Sequence, residues 1–510
     1  MAGLGCSGTF FTPPPETSFA LSSLVHISAD QYSKTVHTAF PTLSAIPELP
    51  ADSEYQGFTH NRLAFANDTT VRAYSRAAEA IADEVAANPA ALLSPCSVAV
   101  SGEQECVRQY VTRAGRILFR ATVSAARREQ VVTGVFQPVR STETLPRALS
   151  AVTEYLLQAP EFLYVLEVAP DDLRKPGRRT YPLSDTQLSA RLAQLIWDGA
   201  PDDALLAAAD TGALHAPQEL AVQTRRLLAD PRAKALFRRF VTELLDLRRL
   251  SHSTKRADLY PMFSDALKAA MSEETSRVTD ELLWEGRGGI SALWTHSATW
   301  ATSGLAALYG QSVPNDGAFH RITLPAAQGR GGVLGLTAFL ASQANDTEGS
   351  QILRGLMVRS RVLCDPPPPP PPAARETVVV SRLVTEPCAT CHRRFEAIGM
   401  GLTAYDAVGR HVQSQSQVGS VLGGTDIDGE FQSLSGLGTR MANSGQVLSC
   451  MGTQWARMLS GSENPELASL LAESLSRTGG DVRELVVDYV TSAHFTHRTD
   501  EFGATCEATP

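Results

Sequence analysis

The chain has 510 residues, 43% hydrophobic and 19% charged, with a formal net charge of −9, an ordinary composition for a globular protein with room for several cores. The acidic balance excludes the basic footprint of a nucleic-acid binder. No run of about 18 or more apolar residues offers a membrane-spanning helix, and eight cysteines in this length are too sparse for a disulfide scaffold.

In chain order, MAGLGCSGTFFTPPPETS reads as a proline-rich tether. It has neither the basic nor the apolar region of a secretory signal. Leu4-Gly5-Cys6 partly resembles the end of a bacterial lipoprotein signal, which makes Cys6 a candidate lipid anchor. Residues 30–100 read as helical, with amphipathic spacing from Val71 to Val85 and capping side chains in Asn67-Asp68-Thr69-Thr70 just ahead. Cys96 and Cys106 flank the polar segment SVAVSGEQE; they form either a staple in an oxidising compartment or two separate buried thiols. From Cys106 to Val135 the apolar residues Val107, Tyr110, Val111, Ile117 and Leu118 recur at helical period. Asp185–Leu214, Pro217–Leu250 and Phe263–Trp284 repeat that pattern. Asp365 then precedes seven prolines, 366 to 372, which as polyproline II form a stiff strut of about 20 Å. Beyond it GSVLGGTDIDGEF predicts a turn or short hairpin, and amphipathic stretches at 445–460 and 479–492 close the chain.

One motif is chemically specific: Glu386-Pro387-Cys388-Ala389-Thr390-Cys391-His392. On a helical turn the two thiols face one side and can add across the vinyl groups of a single haem, while the adjacent imidazole reaches the iron. Cys388 and Cys391 are therefore the candidate attachment residues and His392 the candidate proximal iron ligand of one covalently held haem c. A zinc site needs four ligands, and no second paired cluster lies near in sequence; His494 and His497 are about a hundred residues away. A thioredoxin-like redox pair needs a preceding strand within a βαβ unit, and TVVVSRLVTEP follows a proline strut instead. Candidate sixth ligands are Met441, Met451 and Met400, with Met458 and His411 also in range. Without one the iron is five-coordinate and open to small molecules.

Gly329-Arg330-Gly331-Gly332 with Gly335 lacks the strand of a dinucleotide turn, and Asp426-Ile427-Asp428-Gly429 lacks the later acid of a calcium loop. The sequons at Asn67 and Asn345 carry little weight, and neither Gly-x-Ser-x-Gly nor His-Glu-x-x-His occurs.

The chain resembles the multi-domain planctomycete and myxobacterial cytochrome-c-like surface proteins, a family of domains of unknown function. Ser28-Ala29-Asp30-Gln31-Tyr32, Thr35-Val36 and Gly57-Phe58 are similar to its N-terminal block. Cys106 with Arg116-Ile117-Leu118-Phe119-Arg120 is similar to the second, although its usual Arg-Pro ending is Ala121-Thr122 here. Arg191-Leu192, Trp197-Asp198, Pro201-Asp202-Asp203 and Leu228-Ala229-Asp230-Pro231-Arg232 resemble the central block. Arg330-Gly331-Gly332, Arg354-Gly355 and Leu363-Cys364 resemble the approach to the haem segment, which continues through Cys388 to His392, Gly399, Tyr405-Asp406 and Gly409-Arg410. Val490-Thr491-Ser492, Phe495 and Arg498 resemble the terminal block. The resemblance implies haem carried by Cys388, Cys391 and His392, export to the periplasm or outer cell surface, and a co-encoded exported partner. One departure is Arg393-Arg394-Phe395-Glu396-Ala397 after His392, where the family commonly has an Asp-Pro turn.

The expected fold is mainly α. Its parts are a tether or export remnant (1–20), N-terminal, second and central helical domains (21–100, 101–180, 181–310), a connecting region ending in the polyproline strut (311–372), a cytochrome-c-like haem segment (373–440) and a C-terminal helical domain (441–510). The expected function is an exported mono-haem cytochrome passing electrons to or from an envelope redox partner. The alternatives are a haem enzyme of peroxidase or oxygenase type and a non-redox scaffold with a structural metal. Pairing among Cys364, Cys450 and Cys506 is not set by the sequence.

Overall fold

Helices begin where the sequence supplies a capping side chain. Ser28 with Gln31, and Ser184 with Gln187, form reciprocal capping boxes at the helices Ala29–Ala39 and Asp185–Trp197. Asn67 accepts from the Thr70 amide to start Asp68–Ala86, and Asp202, Ser264, Ser444 and Asn464 cap four more helices in the same way. The computed structural model describes residues 24–61, 67–167, 180–286, 288–369, 383–384, 386, 388–412, 418–423 and 425–499.

The described residues are mainly helical, as the periodicity predicts, with strands confined to five antiparallel two-stranded ribbons. Three long helical patterns are interrupted. Cys106–Val135 divides into Glu103–Leu118 and Ala125–Val131, because Arg120 takes a left-handed φ of 56° and turns the chain. Asp185–Leu214 breaks where Asp198, at φ 53°, closes one helix and Asp202 opens Asp203–Asp210 after Pro201. Pro217–Leu250 breaks at Asp230-Pro231 into Pro217–Ala229 and Lys234–Leu244, since proline cannot donate to the preceding turn. GSVLGGTDIDGEF forms the hairpin strands Gly419–Val421 and Gly429–Phe431.

Two apolar cores organise the chain. The first spans Ile27 to Phe162 and includes Tyr32, Tyr110, Phe136 and Phe162, so segments 21–100 and 101–180 share it. The Cys96–Cys106 disulfide lies at its edge, tying the start of Glu103–Leu118 to the preceding loop. The second runs from Tyr181 to Phe495 around Phe240 and Trp455, whose rings stack at 4.0 Å. It contains residues of the central, connecting, haem-segment and C-terminal stretches alike, and Phe58 inserts into it from the N-terminal part.

Ribbons and one buried acid join the halves. Leu24–His26 pairs with Tyr164–Leu166, and Thr180–Pro182 pairs with the C-terminal strand His497–Thr499. Asp198 accepts from Gln31 at 3.2 Å, Lys34 at 3.3 Å and Arg239 at 2.9 Å, so a single carboxylate clamps the first helix to the central body.

A second disulfide, Cys364–Cys450, fastens the start of the proline run to the helix Gly445–Ser460. Pro366–Pro369 carry neither helix nor strand, and the rest of the strut lies outside the described residues, as do Cys6 and Cys506. Among the described residues no helix is long and apolar enough to cross a membrane.

Candidate functional site

Cys388, Cys391 and His392 occupy the first turns of the helix Cys388–Met400. This helix packs on Gln351–Met357, and the two approach through glycines. A Cβ on Gly355 would overlap the Phe395 carbonyl oxygen and lie 2.9 Å from the Gly399 nitrogen; a Cβ on Gly399 would overlap the Gln351 carbonyl. Neither glycine has positive φ, so proximity alone explains them. Gly419 of the hairpin would bring a Cβ to 2.9 Å from the Gly401 nitrogen, closing the far end of the same helix.

The close crossing puts Gln351 against Glu396, which has no exposed surface. Gln351 Nε2 donates to Glu396 Oε2 at 2.6 Å, and His392 Nδ1 lies 2.6 Å from Glu396 Oε1. An ionised carboxylate only accepts, so this pairing puts the imidazole proton on Nδ1 and leaves the Nε2 lone pair as the available ligand. The His392 side chain is 28% exposed, and its ring centroid is 4.9 Å from that of Phe395. Both thiols are free and half-buried. Three residues apart on one helix, they share a face.

Buried arginines hold the flanking turns. Arg354, fully buried, donates to the carbonyls of Leu340, Leu402, Tyr405 and Asp406 at 2.6–2.8 Å, and desolvation pulls its pKa down to about 9. Arg330 lies 4.7 Å from both the Tyr309 and Tyr405 ring centroids and donates to the Gly335 and Gly409 carbonyls. The glycines around it meet protein: a Cβ on Gly331 would sit 2.7 Å from Ser435 Cα. Asp406 closes its own turn through the Val408 and Arg410 amides and the Arg410 guanidinium. Asp365 pairs with both Arg359 and Arg394, and Arg359 donates to the Leu422 carbonyl at 2.6 Å, fixing the helix to the chain entering the proline run. Asp426 accepts from the Ser444 hydroxyl and the Gly445 amide at the start of the helix Gly445–Ser460.

The candidate sixth ligands are scattered. Met441 and Met451 are 1% and 0% exposed in the second core, and Met458 is buried at 5%. Met400, 49% exposed, ends the haem-motif helix about 12 Å along the axis from His392. His411 bridges in strand fashion to Tyr405, and desolvation lowers its pKa.

Sequence reasoning named the two thiols and the imidazole but missed Glu396 and Gln351. The signal for Glu396 was its i, i+4 spacing from His392; Gln351 joins them only through the tertiary crossing of the two helices. The donor set fits a haem. The Glu396 contact takes up Nδ1 and leaves Nε2 as the nitrogen for iron, and two free thiols lie on the same helix. Thioether sulfurs bond to the porphyrin edge.

Three family models match the chain in order: PSD3, a protein of unknown function (DUF1587), over residues 27–87; PSD4, a protein of unknown function (DUF1592), over 183–311; and PSCyt3, a protein of unknown function (DUF1588), over 330–415. Neither the curated proteins nor the solved structures contain a match. The PSCyt3 match includes the helix Gln351–Met357 and the whole of Cys388–Met400. A little over half of the chain is thus made of planctomycete cytochrome-c-like domains of unknown function, with the thiols and the imidazole inside the PSCyt3 segment.

Proposed function

We propose that the protein is an exported mono-haem c-type cytochrome that passes electrons to or from a redox partner in the cell envelope. The observation that carries this reading is the Glu396–His392 pair, which takes up Nδ1 and leaves Nε2 as the ligand nitrogen, with two free thiols on the same helix. Cys388 and Cys391 would hold the haem by thioether bonds, and His392 would be its proximal ligand. When bound, the haem supplies a one-electron couple. Glu396 and Gln351 fix the imidazole tautomer and ring orientation, and Arg354 and Arg359 hold the turns on either side. The PSCyt3 match supports a cytochrome-type segment.

Two disulfides favour maturation in an oxidising compartment, in keeping with a periplasmic or cell-surface location, where thioether ligation takes place. A lipid anchor at Cys6 and a co-encoded exported partner belong to this reading as well.

The test is haem staining of protein matured in a periplasm and run on a denaturing gel. Cys388→Ala with Cys391→Ala should abolish the stain, because only thioethers survive denaturation; a persistent stain in that variant overturns the assignment.

A second reading, a haem enzyme of peroxidase or oxygenase type, is favoured by the burial of Met441 and Met451, neither of which reaches an iron without repacking of the core. Rapid binding of carbon monoxide or cyanide selects the enzyme, and refusal of both selects the electron carrier.

A further inference from the structure

A cavity of about 150 Å³ opens between the two cores. The strand Leu24–His26, the helix Asp185–Trp197, the end of the helix Gly445–Ser460 and the segment His494–Arg498 contribute to its wall, and no residue of the haem-motif helix lines it.

Its polar side is built around Glu167, 5% exposed, which accepts from Arg191 and, at 2.6 Å, from Arg498 Nε. Arg191 also donates to the Tyr489 hydroxyl at 2.8 Å, and Arg498 Nη1 donates to the His494 carbonyl at 3.2 Å and the Phe495 carbonyl at 3.3 Å. One carboxylate between Arg191 and Arg498 leaves one positive charge over, the third lining guanidinium, Arg239, being matched by Asp198, and arginine cannot shed it. On the lining, the buried atoms without a hydrogen-bond partner among the described residues include the donors Nη2 of Arg498, itself 1% exposed, Nε of Arg191 and Nε of Arg239, and the acceptor Oε1 of Gln194. A buried donor left dry is costly, so the cavity is a place where a ligand with acceptor oxygens repairs a deficit. The lining also carries the apolar side chains of Val25, Val165, Leu195, Met458 and Phe495, the Phe495 ring lying 4.5 Å from the Arg191 guanidinium.

We propose that this cavity binds a small free monocarboxylate whose oxygens take the unfilled arginine donors and whose apolar tail lies against Leu195 and Phe495. The single surplus charge sets the class. A phosphate dianion would bring two negative charges against one and would meet Glu167, whereas a neutral ligand would leave the surplus uncompensated. The volume sets the size, since a cavity of 150 Å³ admits a benzene-sized molecule.

The experiment is calorimetric titration and thermal melting of the full-length protein with butyrate, 3-hydroxybutyrate and benzoate, against butyramide and benzamide. At least one acid should bind saturably and raise the melting temperature, with its amide about tenfold weaker or worse. Leu195→Trp fills the space one helical turn from Arg191 and should abolish binding. The comparison of acid with amide on the unmodified protein decides the question even if that variant does not fold. Absence of saturable binding by every acid, equal binding by acid and amide, or binding unchanged in a folded Leu195→Trp protein overturns the proposal. Haem content enters none of these readouts.

Discussion

Gly355 and Gly399 face each other across the crossing of two helices, so close that a Cβ on either would collide with the other helix's backbone. This contact lets Gln351 reach Glu396, and through Glu396 it sets the imidazole of His392. A glycine pair two turns from the thiols therefore supports the candidate site.

Replacing either glycine by alanine tests the contact. Alanine is worth up to about 1 kcal/mol over glycine in a helix interior, while overpacking against backbone costs about 3 kcal/mol. The overlap wins, and Gly399→Ala should lose about 2 kcal/mol in denaturant unfolding. A neutral or stabilised variant would mean that the helices are not held at this distance.

Glu396→Gln keeps the shape and the contact with His392 but removes the charge. A carboxylate beside Nδ1 makes the imidazole a stronger donor and favours ferric over ferrous iron. The reduction potential of the haem-loaded variant should therefore rise by tens of millivolts, with haem still covalently attached. An unchanged potential in a fully loaded variant would show that Glu396 serves packing alone.

Glu274 provides a pH dependence independent of the haem. It is fully buried and accepts from Thr299, Tyr309 and Thr337, and burial pushes its pKa up to about 7 from 4.5. Because the folded value is the higher one, the native state keeps a proton that the unfolded chain has lost. Its stabilising effect is full below pH 4.5 and fades as pH rises to about 7. Glu274→Gln, which resembles the protonated acid, should remove this fading, so that the variant gains on the parent by on the order of 3 kcal/mol across that window. Parallel stability curves for the two proteins would contradict the assignment.

The Cys364–Cys450 bridge closes a long loop, with a sequence separation of 86. In the chain-entropy model such a link is worth about 4.6 kcal/mol. Cys364→Ala with Cys450→Ala should lower unfolding stability by that order in non-reducing conditions and leave thioether-bound haem intact. Equal stability would show that the haem segment is held by its arginines alone.

The helical class, the cap at Asn67 and the hairpin after residue 418 could be read from the sequence, because each depends on neighbours within a few residues. The haem motif was visible for the same reason. What supports it was not. Gln351 lies 45 positions from Glu396, and the carbonyls gathered by Arg354 span Leu340 to Asp406. Such contacts follow from helix packing, which periodicity does not specify. The methionines show the converse: Met441 and Met451 read as free ligands in sequence because nothing local marks them as core.

The most direct measurement is the alkaline pyridine spectrum, with iron analysis, of the natively exported protein. One haem per chain with the band position of a porphyrin whose two vinyl groups are saturated is the expected result. A colourless, iron-free protein would contradict the cytochrome reading outright.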